Sequence, residues 1–435
     1  MSEKRKASPP PSHPTKPPLT RQEQAIIIGG GPAGLAMALC LQQKTNITSV
    51  IYELRPEPTT LGGAIGIQPN GLRLLHRLGV YDDLAARGYD NNEFIIRSMQ
   101  GSILGTPDPV IWGREQTGFG FMRIKRTDLV EVLLDAVRNA GITIHWGKTL
   151  TSIAEKNESV TATFDDGTTD TADFLFGCDG IHSAVRSLYV DPAQVPEYSG
   201  FAGLFSIVPN KSNVAGMNAT LTQEGMFAAT PCAPDRKELF WVFVKEVTLP
   251  KSTAVGDERD GWEVHGKAEV EGFKESMLHV LQDARGDWGE IIREIVRSTS
   301  VVKFLPIYRL PLGKSWARGR VQLVGDSAHA MQPHAGQGMS MALEDVFLLA
   351  RLLEDPARPV EEAYARFEQI RRPRVDQIYA LAARNAEVRK KAGPWGLWCK
   401  EMTLWMFLLV SWAVGLDRRG MGQKHLAYDI DEVVL

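Results

Sequence analysis

The sequence contains few cysteines and no pair of them in a redox or metal-binding spacing. Its four cysteines, Cys40, Cys178, Cys232 and Cys399, lie far apart, and no C-x-x-C motif occurs. This excludes a zinc ribbon and a redox-active dithiol, and it favours a reducing compartment. We therefore expect a cytoplasmic protein.

A strong charge of either sign is also absent. The formal net charge is −3, so nothing indicates a nucleic-acid partner. With 435 residues, 43% of them hydrophobic and 23% charged, the chain has the composition of a soluble globular protein of about two domains.

An apolar leader is absent as well. Residues 1–24 hold six prolines and almost no apolar side chains. We expect a disordered tail rather than a signal peptide, because no apolar h-region precedes Ala25.

A glycine-rich turn lies between two apolar segments near the start. Residues 25–28 predict a buried parallel strand, 35–43 a helix, and 48–52 a second strand that ends at Glu53. Between the first strand and the helix stands Gly29-Gly30-Gly31-Pro32-Ala33-Gly34, which fits G-x-G-x-x-G.

Each part of this βαβ unit has a known use. Gly29 permits the tight turn, Gly31 lets the backbone approach a pyrophosphate, and Gly34 allows close packing of helix and strand. Glu53 can accept hydrogen bonds from a ribose. The unit predicts dinucleotide binding.

A second glycine corner occurs late in the chain. A strand at 320–324 ends in Gly325-Asp326, and after Pro333 the residues Gly336-Gln337-Gly338 open a predicted helix at 339–353. Backbone N–H groups at a helix start are unpaired and carry the positive end of the helix dipole. Such a corner suits negative charge developing on a flat ring, and a reduced flavin is such a ring.

The middle of the chain contains a third motif, followed by a region of short predicted strands. Residues 160–164 and 172–176 predict a hairpin, whose second strand leads into Gly177-Cys178-Asp179-Gly180. From 201 to 249 short alternating strands predict an antiparallel sheet that forms one wall of a substrate cavity. Residues 263–297 and 339–391 are predicted to be mainly helical.

The three motifs, in this order and spacing, resemble the single-component FAD-dependent monooxygenases of the para-hydroxybenzoate hydroxylase type, including salicylate hydroxylase-like enzymes. The resemblance covers roughly residues 25–390. It implies an α/β protein with a Rossmann-type FAD-binding domain, an interleaved antiparallel-sheet substrate domain and a helical C-terminal region. The expected boundaries are 1–24 for the tail, 25–200 with 300–355 for the FAD-binding domain, 201–299 for the substrate sheet, and 356–435 for the helical region.

The resemblance also implies roles for residues. Glu53 would bind the adenosine ribose, Arg126 would contact FAD from a helix start, and Asp326 would hold a ribitol hydroxyl. Asp179 belongs to a motif linked in this family to both FAD and NAD(P)H. The full set of implied cofactor contacts is Gly29, Gly31, Ala33, Gly34, Glu53, Gly63, Arg126, Asp179, Asp326, Pro333, Gly336, Gln337, Gly338 and Met339.

The implied reaction is NAD(P)H- and O2-dependent hydroxylation or epoxidation through a flavin C4a-hydroperoxide, plausible in secondary metabolism. NAD(P)H would be a co-substrate, since only one dinucleotide fingerprint occurs. A reductase or dehydrogenase on the same fold, without oxygen insertion, is the alternative enzyme. A flavin-binding module without catalysis is the alternative from another class.

Several polar residues have both a functional and a structural interpretation. His334, Arg309 and Tyr308 are weak catalytic or substrate-contact candidates. Arg309 and Tyr308 would otherwise brace the seam between domains. His329 is expected to be structural, and Arg186 to cap a short helix.

Two positions depart from the family pattern. Ser340 stands where many relatives carry asparagine, which weakens an expected flavin contact. The strands around Leu204, Phe205 and Met226 hold no cation, so an apolar wall and a larger hydrophobic or aromatic substrate are expected.

A tryptophan-rich segment follows. In residues 395–416, Trp395, Trp398, Trp405 and Trp412 are spaced for one helical face. Docking on the protein's own core, contact with a membrane surface and a membrane span all remain open. The span is the least favoured of the three, because residues 402–416 fall short of the ~20 apolar residues that a span needs.

Overall fold

The computed structural model describes residues 22–58, 63–90, 93–248 and 272–435. The predicted tail at 1–24 therefore lies largely outside the described residues, as do residues 263–271 of the predicted helix at 263–297. The strands are β1 (Gln24–Ile28), β2 (Thr48–Glu53), β3 (Ala64–Ile67), β4 (Tyr89–Asp90), β5 (Phe94–Arg97), β6 (Ile103–Gly105), β7 (Met122–Lys125), β8 (Thr143–Trp146), β9 (Leu150–Lys156), β10 (Ser159–Phe164), β11 (Thr169–Ala172), β12 (Phe174–Gly177), β13 (Glu197–Pro209), β14 (Met217–Leu221), β15 (Gly225–Pro231), β16 (Glu238–Glu246), β17 (Lys303–Arg309), β18 (Ala317–Arg318) and β19 (Val321–Leu323).

The helices follow the same chain order. They are α1 (Pro32–Lys44), α2 (Pro69–Arg77), α3 (Tyr81–Ala85), α4 (Ile111–Thr117), α5 (Arg126–Asn139), α6 (Gly286–Arg297), α7 (Asp326–His329), α8 (Gly338–Leu352), α9 (Val360–Glu387) and α10 (Pro394–Val414). Residues 272–280 are helical too, and 281–285 interrupt the helix predicted for 263–297.

A six-stranded sheet forms the first layer, in the order β18-β19-β12-β1-β2-β8. All neighbours pair in parallel except β18 and β19. After the exposed Gln24, strand β1 is apolar because both faces are covered, and Ile26 and Ile27 are at most 1% exposed. Helices α1 and α8 pack against each other within the same core.

A seven-stranded sheet, β17-β13-β16-β15-β14-β5-β6, forms the second unit. Its neighbours are antiparallel except for β14 and β5. One face packs on α6 through a second hydrophobic cluster that contains Leu204, Trp241 and Ile292. The antiparallel sheet predicted for 201–249 is therefore present, while the domain boundaries stay a prediction.

The hairpin predicted around Asp165 differs from the structure. Strand β10 pairs with β11 (Thr169–Ala172), not with a strand at 172–176. The next strand, β12, leaves the hairpin and pairs in parallel with β1 and β19. The apolar Phe174–Gly177 run explains this, because it can be buried on both faces only in the central sheet.

The tryptophan-rich helix α10 is exposed. Leu397 is its only buried residue. Of the three alternatives left open by the sequence, docking on the protein's own core is therefore met only by a narrow stripe that contains Leu397, Leu404 and Leu408. After α10 the chain returns to the body, where both oxygens of Asp429 accept hydrogen bonds from Arg77 at 2.6 Å.

Candidate active site

The three glycine motifs meet at one edge of the six-stranded sheet. Strands β19, β12, β1 and β2 lie side by side in parallel, with Gly177 opposite both Ile28 and Leu323. Because the carboxyl ends of parallel strands share an edge, the turns after β1, β12 and β19 lie beside Glu53 at the end of β2. Ligands of open α/β sheets bind at this edge.

The first turn uses its glycines in three ways. Gly29 has φ +109°, donates its N–H to the carbonyl oxygen of Tyr52 at 2.8 Å, and would overlap the Cys178 carbonyl if it had a Cβ. A Cβ on Gly34 would overlap the Gly29 carbonyl, so this glycine brings α1 close to β1. A Cβ on Gly31 would meet no atom within 4 Å. The backbone at Gly31, at the start of α1, is therefore open to an approaching group.

Glu53 is fixed beside this turn. Its Oε2 accepts the N–H of Gly30 at 2.6 Å, and its Oε1 accepts the N–H of Arg55 at 3.0 Å. A carboxylate oxygen can accept more than one hydrogen bond, so Glu53 keeps capacity for a hydroxyl donor.

Asp179 has one oxygen committed and one without a protein partner. Its Oδ2 accepts the N–H groups of Ala184 at 2.6 Å and Val185 at 3.1 Å. Its buried Oδ1 has no hydrogen-bond partner among the described residues. Desolvation raises the pKa of the Asp179 carboxyl above its usual value.

Arg186 joins the second motif to the third. It is 2% exposed and donates to the carbonyl oxygens of Ser327 at 2.8 Å and Ile181 at 2.5 Å. The cap of the short helical segment is Ser183, whose Oγ accepts the N–H of Arg186 at 2.9 Å. The expectation that Arg186 is itself a helix cap is therefore wrong.

Asp326 and Arg126 are exposed at the same edge. Asp326 follows β19, and the protein packed around its exposed carboxyl partly desolvates that group, which raises its pKa. The charges of His329 and Arg126 partly offset this rise. The N–H of Arg126 donates to the carbonyl oxygen of Gly63 at 3.0 Å, which fixes the start of α5 next to the segment before β3.

Buried charges hold α8 against the turn after β19. Asp345 accepts the N–H of Gly325 at 2.8 Å, His329 Nε2 at 2.6 Å and Arg371 Nε at 2.7 Å. Glu344 accepts Arg371 Nη1 at 2.6 Å and Arg374 Nη2 at 3.0 Å. This geometry agrees with a structural role for His329.

The arginines keep both carboxyl groups ionised. Burial alone would raise the pKa of Glu344, but the charges of Arg374 and Arg371 hold it below its usual value. The pKa of Asp345 is likewise lowered, by His329 and Arg371 against the effect of burial. Apart from the i, i+3 spacing of the two arginines in α9, nothing in the sequence pattern indicated this cluster.

The glycine corner is attached to the cluster through Asn70. Asn70 Nδ2 donates to Glu344 Oε1 at 2.8 Å and to Gln337 Oε1 at 3.0 Å, and Gln337 Nε2 donates back to Asn70 Oδ1 at 3.3 Å. The Gln337 side chain thus points into the protein. A Cβ on Gly338 would meet no atom within 4 Å, so the corner offers backbone, not side chains, to the cleft.

Ser340 faces α2. Its hydroxyl is buried without a hydrogen-bond partner among the described residues and lies where a Cβ on Gly71 would be. The larger asparagine that the family resemblance implies at this position would need Gly71 to move. Ser340 therefore packs α8 closely on α2, and Met339 beside it is 9% exposed within the main core.

The expected substrate wall is partly corrected. Phe205 and Phe240 pack on Gly63, with ring centroids 6.0 Å apart. Leu204 points to the opposite face, into the cluster beneath α6, because side chains alternate along a strand. Its predicted place in the wall is wrong. Met226 packs against the same second cluster, beside its strand neighbour Leu221.

Arg123 brings a cation to this wall from β7. Its guanidinium lies 5.3 Å from the Phe121 ring centroid and 5.6 Å from that of Phe240. It donates to the Ala64 carbonyl oxygen at 3.4 Å, and its buried Nε has no partner among the described residues. Desolvation lowers the pKa of Arg123 to about 10, so it is still charged at neutral pH. Sequence reasoning missed it by considering only the strands after residue 200.

The weak catalytic candidates fall in two places. His334 is buried, its ring lies 5.5 Å from the Phe201 ring, and its Nε2 has no partner in the described part of the chain. Desolvation lowers its pKa to about 3, so it is neutral at physiological pH. Tyr308 contacts the Tyr198 and His182 rings, and Arg309 lies 3.7 Å from a Glu197 oxygen. Tyr308 and Arg309 lie in β17 of the seven-stranded sheet, where Tyr308 meets His182 from the loop after β12 of the six-stranded sheet.

The residues at this edge fit a bound FAD. The backbone at Gly31 and Gly338 is open, the Glu53 and Asp326 carboxylates are available to hydroxyls, and Asp179 Oδ1 is a buried acceptor without a partner. A flat ring between the glycine corner and the Phe205 side of the large sheet would complete the arrangement.

Comparison with known proteins identifies the family. The family model described as FAD binding domain matches residues 22–276 and 309–382. The 3-amino-4-hydroxybenzoate 2-monooxygenase of Streptomyces cremeus is 30% identical over 372 residues, covering 84% of this chain and 88% of that protein. The 6-hydroxynicotinate 3-monooxygenase of Pseudomonas fluorescens is 28% identical over 385 residues, covering 88% and 95%.

The fold has solved counterparts. Klebsiella pneumoniae HpxO, complexed with FAD and uric acid, superposes with a TM-score of 0.75 at 22% identity, covering 94% of this chain and 98% of that one. The chain belongs to the FAD-binding family, and it is an FAD-dependent monooxygenase.

Replacing Arg371 by methionine should strongly destabilise the protein. Two buried carboxylates would lose the arginine that contacts both of them, which costs about 3–5 kcal/mol of unfolding free energy. Urea denaturation measures this. Arg384→Met, an exposed arginine on the same helix, is the control and should change stability by less than about 0.5 kcal/mol. Equal effects would contradict the role of the cluster.

The unfolding free energy should depend on pH through His334. The unfolded imidazole gains a proton below about pH 6.5, whereas the folded one stays neutral down to about pH 3. The unfolded state then binds more protons, so stability falls with falling pH, by about 2 kcal/mol between pH 8 and pH 5. His334→Gln should remove that share of the slope. An unchanged slope would contradict the burial of a neutral imidazole.

Proposed function

We propose that the chain hydroxylates or epoxidises a hydrophobic, electron-rich aromatic molecule, using NAD(P)H and O2. The observation that carries the proposal is the shared strand edge: the open backbone at Gly31 lies there with Glu53 and Asp326, and a Cβ on Gly325 would meet Ala33 of α1 and Ala342 of α8. FAD supplies the oxygen-transfer chemistry when it is bound there. The protein supplies position, orientation and exclusion of water.

We infer that the cofactor contacts follow the motifs. The N-terminus of α1 at Gly31 would hold the pyrophosphate, Glu53 the adenosine ribose and Asp326 a ribitol hydroxyl. Arg126, across from Asp326, would add a positive charge near the same chain. The backbone N–H groups of Gly336 to Met339, at the start of α8, would stabilise negative charge on the flavin ring.

The substrate is proposed to be an aromatic molecule that carries an acidic hydroxyl, a carboxylate or a carbonyl oxygen. Phe205 and Phe240 offer flat apolar contact. Arg123, between them and Phe121, offers a charged guanidinium whose Nε has no hydrogen-bond partner in the described part of the chain. A hydrogen bond from a desolvated guanidinium would orient the ring and favour an oxyanion at that oxygen. The relatives named for hydroxylated benzoate and nicotinate substrates are consistent with this class.

Flavin reduction and oxygen uptake test the reaction. The purified protein should show flavin absorbance that NADH or NADPH bleaches, faster when phenolic or N-heteroaromatic acids are present. Substrate-stimulated oxygen uptake with formation of a hydroxylated or epoxidised product is expected. Bleaching and product formation without oxygen uptake would instead indicate a reductase or dehydrogenase.

Gly31→Ala should weaken FAD binding without unfolding the protein. A Cβ at Gly31 meets no protein atom, but it would occupy the path of the pyrophosphate. Crowding of this kind costs about 1–3 kcal/mol, or roughly 5- to 150-fold in the FAD dissociation constant. Titration of the apoprotein by flavin fluorescence measures it.

Gly393→Ala is the matched control. Gly393 also precedes a proline at a helix N-terminus, and its Cβ would likewise meet no atom within 4 Å. It should leave FAD affinity and melting temperature unchanged. Equal affinity in both variants would contradict the assignment of Gly31.

Arg123→Met should raise KM for an acidic aromatic substrate. Loss of a charge-assisted hydrogen bond of about 1.5–3 kcal/mol corresponds to roughly 10- to 100-fold. FAD affinity should not change. Arg97→Met is the control, because Arg97 also lies over an aromatic ring, 5.1 Å from the Trp288 centroid, but on β5. If both variants raise KM equally, Arg123 does not select the substrate.

A further inference from the structure

The long helix α10 (Pro394–Val414) presents an apolar surface that the protein does not cover. Trp395 and Trp412 are 82% and 78% exposed, and Met406 and Phe407 are more than half exposed. Within the described ranges, this is the one helix whose length and composition would allow it to cross a membrane. An exposed apolar surface that extends over a whole helix marks a contact site for lipid or protein.

A narrow stripe of the helix rests on the body. Leu397 and Leu404 pack against the second hydrophobic cluster, and Leu408 lies against Gly105 of β6. These three leucines are spaced by seven and four residues, so they share one face. The tryptophans lie outside that stripe. The contact fixes the orientation of α10 on the body.

The two charged residues of α10 point toward the protein. Lys400 Nζ donates to the carbonyl oxygens of Val388 at 3.2 Å and Lys390 at 2.7 Å. Glu401 Oε1 accepts the N–H of Met99 at 3.0 Å. The outward surface of the helix therefore carries no charge over its whole length.

Both ends of α10 are attached to the same body. Before it, the N–H of Ala392 donates to the carbonyl oxygen of Gln223 at 2.7 Å. After it, Gln423 Oε1 accepts the N–H of Trp112 at 3.0 Å, and Arg374 donates to the His425 carbonyl oxygen at 2.8 Å. A spanning helix would place its ends on opposite sides of a bilayer. This helix runs along the surface instead.

We propose that α10 docks the enzyme on the surface of a lipid bilayer, lying in the interface with its tryptophan side among the headgroups and upper acyl chains. Tryptophan favours that depth. A protein partner would meet a polar rim around an apolar centre, which this uncharged outward face lacks. Exposed Arg418 and Arg419 follow the helix and form no ion pair with the described residues, so they suit anionic headgroups.

Vesicle flotation tests the proposal. The full-length, FAD-loaded protein is mixed with phosphatidylcholine vesicles, with or without phosphatidylserine. It should float with both, more strongly with the anionic lipid. The Trp398→Glu/Trp412→Glu double variant should lose about a hundredfold in partitioning, because two exposed aromatic side chains no longer enter the bilayer.

A matched double variant controls for surface charge. Leu188→Glu/Val195→Glu changes two exposed apolar residues outside the helix and should float like the wild type. Retained flavin absorbance shows that each variant is folded, so the result does not depend on catalysis. Wild-type protein that stays unbound, or equal loss in both variants, would overturn the proposal. So would a dimer that Trp398→Glu/Trp412→Glu dissociates without any vesicle binding.

The arginines test the orientation. Arg418→Gln/Arg419→Gln should lower partitioning onto anionic vesicles by about fivefold per charge and leave neutral vesicles unaffected. Arg236 and Lys237 are exposed in the turn between β15 and β16. The control variant Arg236→Gln/Lys237→Gln should change partitioning onto neither anionic nor neutral vesicles. Wild-type protein bound to vesicles should be released by alkaline carbonate. Retention would mean a span and would contradict the surface geometry.

Discussion

Two carboxylates and two arginines, buried together between α8 and α9, fix the part of the molecule on which the cleft depends. Asp345 receives the N–H of Gly325, so the turn after β19 and the start of α8 cannot move independently. Glu344 holds Asn70, and Asn70 holds Gln337. The glycine corner is thus aligned with the strand edge by charges that are far from water, where a geometry with every partner satisfied is the only stable one.

Because of this constraint, the glycine corner at Gly336–Gly338 offers a ligand mainly backbone groups. With Gln337 turned inward and Ser340 packed on α2, the corner presents N–H groups rather than side chains. The charged and aromatic side chains proposed to contact the cofactor or substrate come from other elements of the fold. Glu53 and Asp326 come from strand ends, and Phe205 and Arg123 come from two different sheets. Cofactor binding and substrate selection can therefore change separately in sequence.

Features formed by residues close together in the chain were mostly predicted from the sequence. Contacts between residues remote in the chain were predicted less well. Gly29 to Gly34, with a strand before and a helix after, predicted a strand–turn–helix unit for dinucleotide binding. The structure contains this strand, turn and helix. Arg123 was missed because Phe240, whose ring it contacts, is remote in sequence and meets it only in the folded chain. Leu204 was misplaced because a one-residue shift reverses the face of a strand. The α10 segment showed its apolar character in sequence, but which side would be covered depends on β6 and the returning C-terminus.

A crystal structure of the FAD-loaded protein tests the central claim most directly. We expect the pyrophosphate on the N–H groups at the start of α1, the adenosine ribose on Glu53, and the flavin ring between the Gly336–Met339 backbone and the Phe205 side of the large sheet. The Glu344, Asp345 and Arg371 contacts should be unchanged, because the corner is already in place. A flavin bound away from the shared strand edge, or a corner that rebuilds around it, would contradict this.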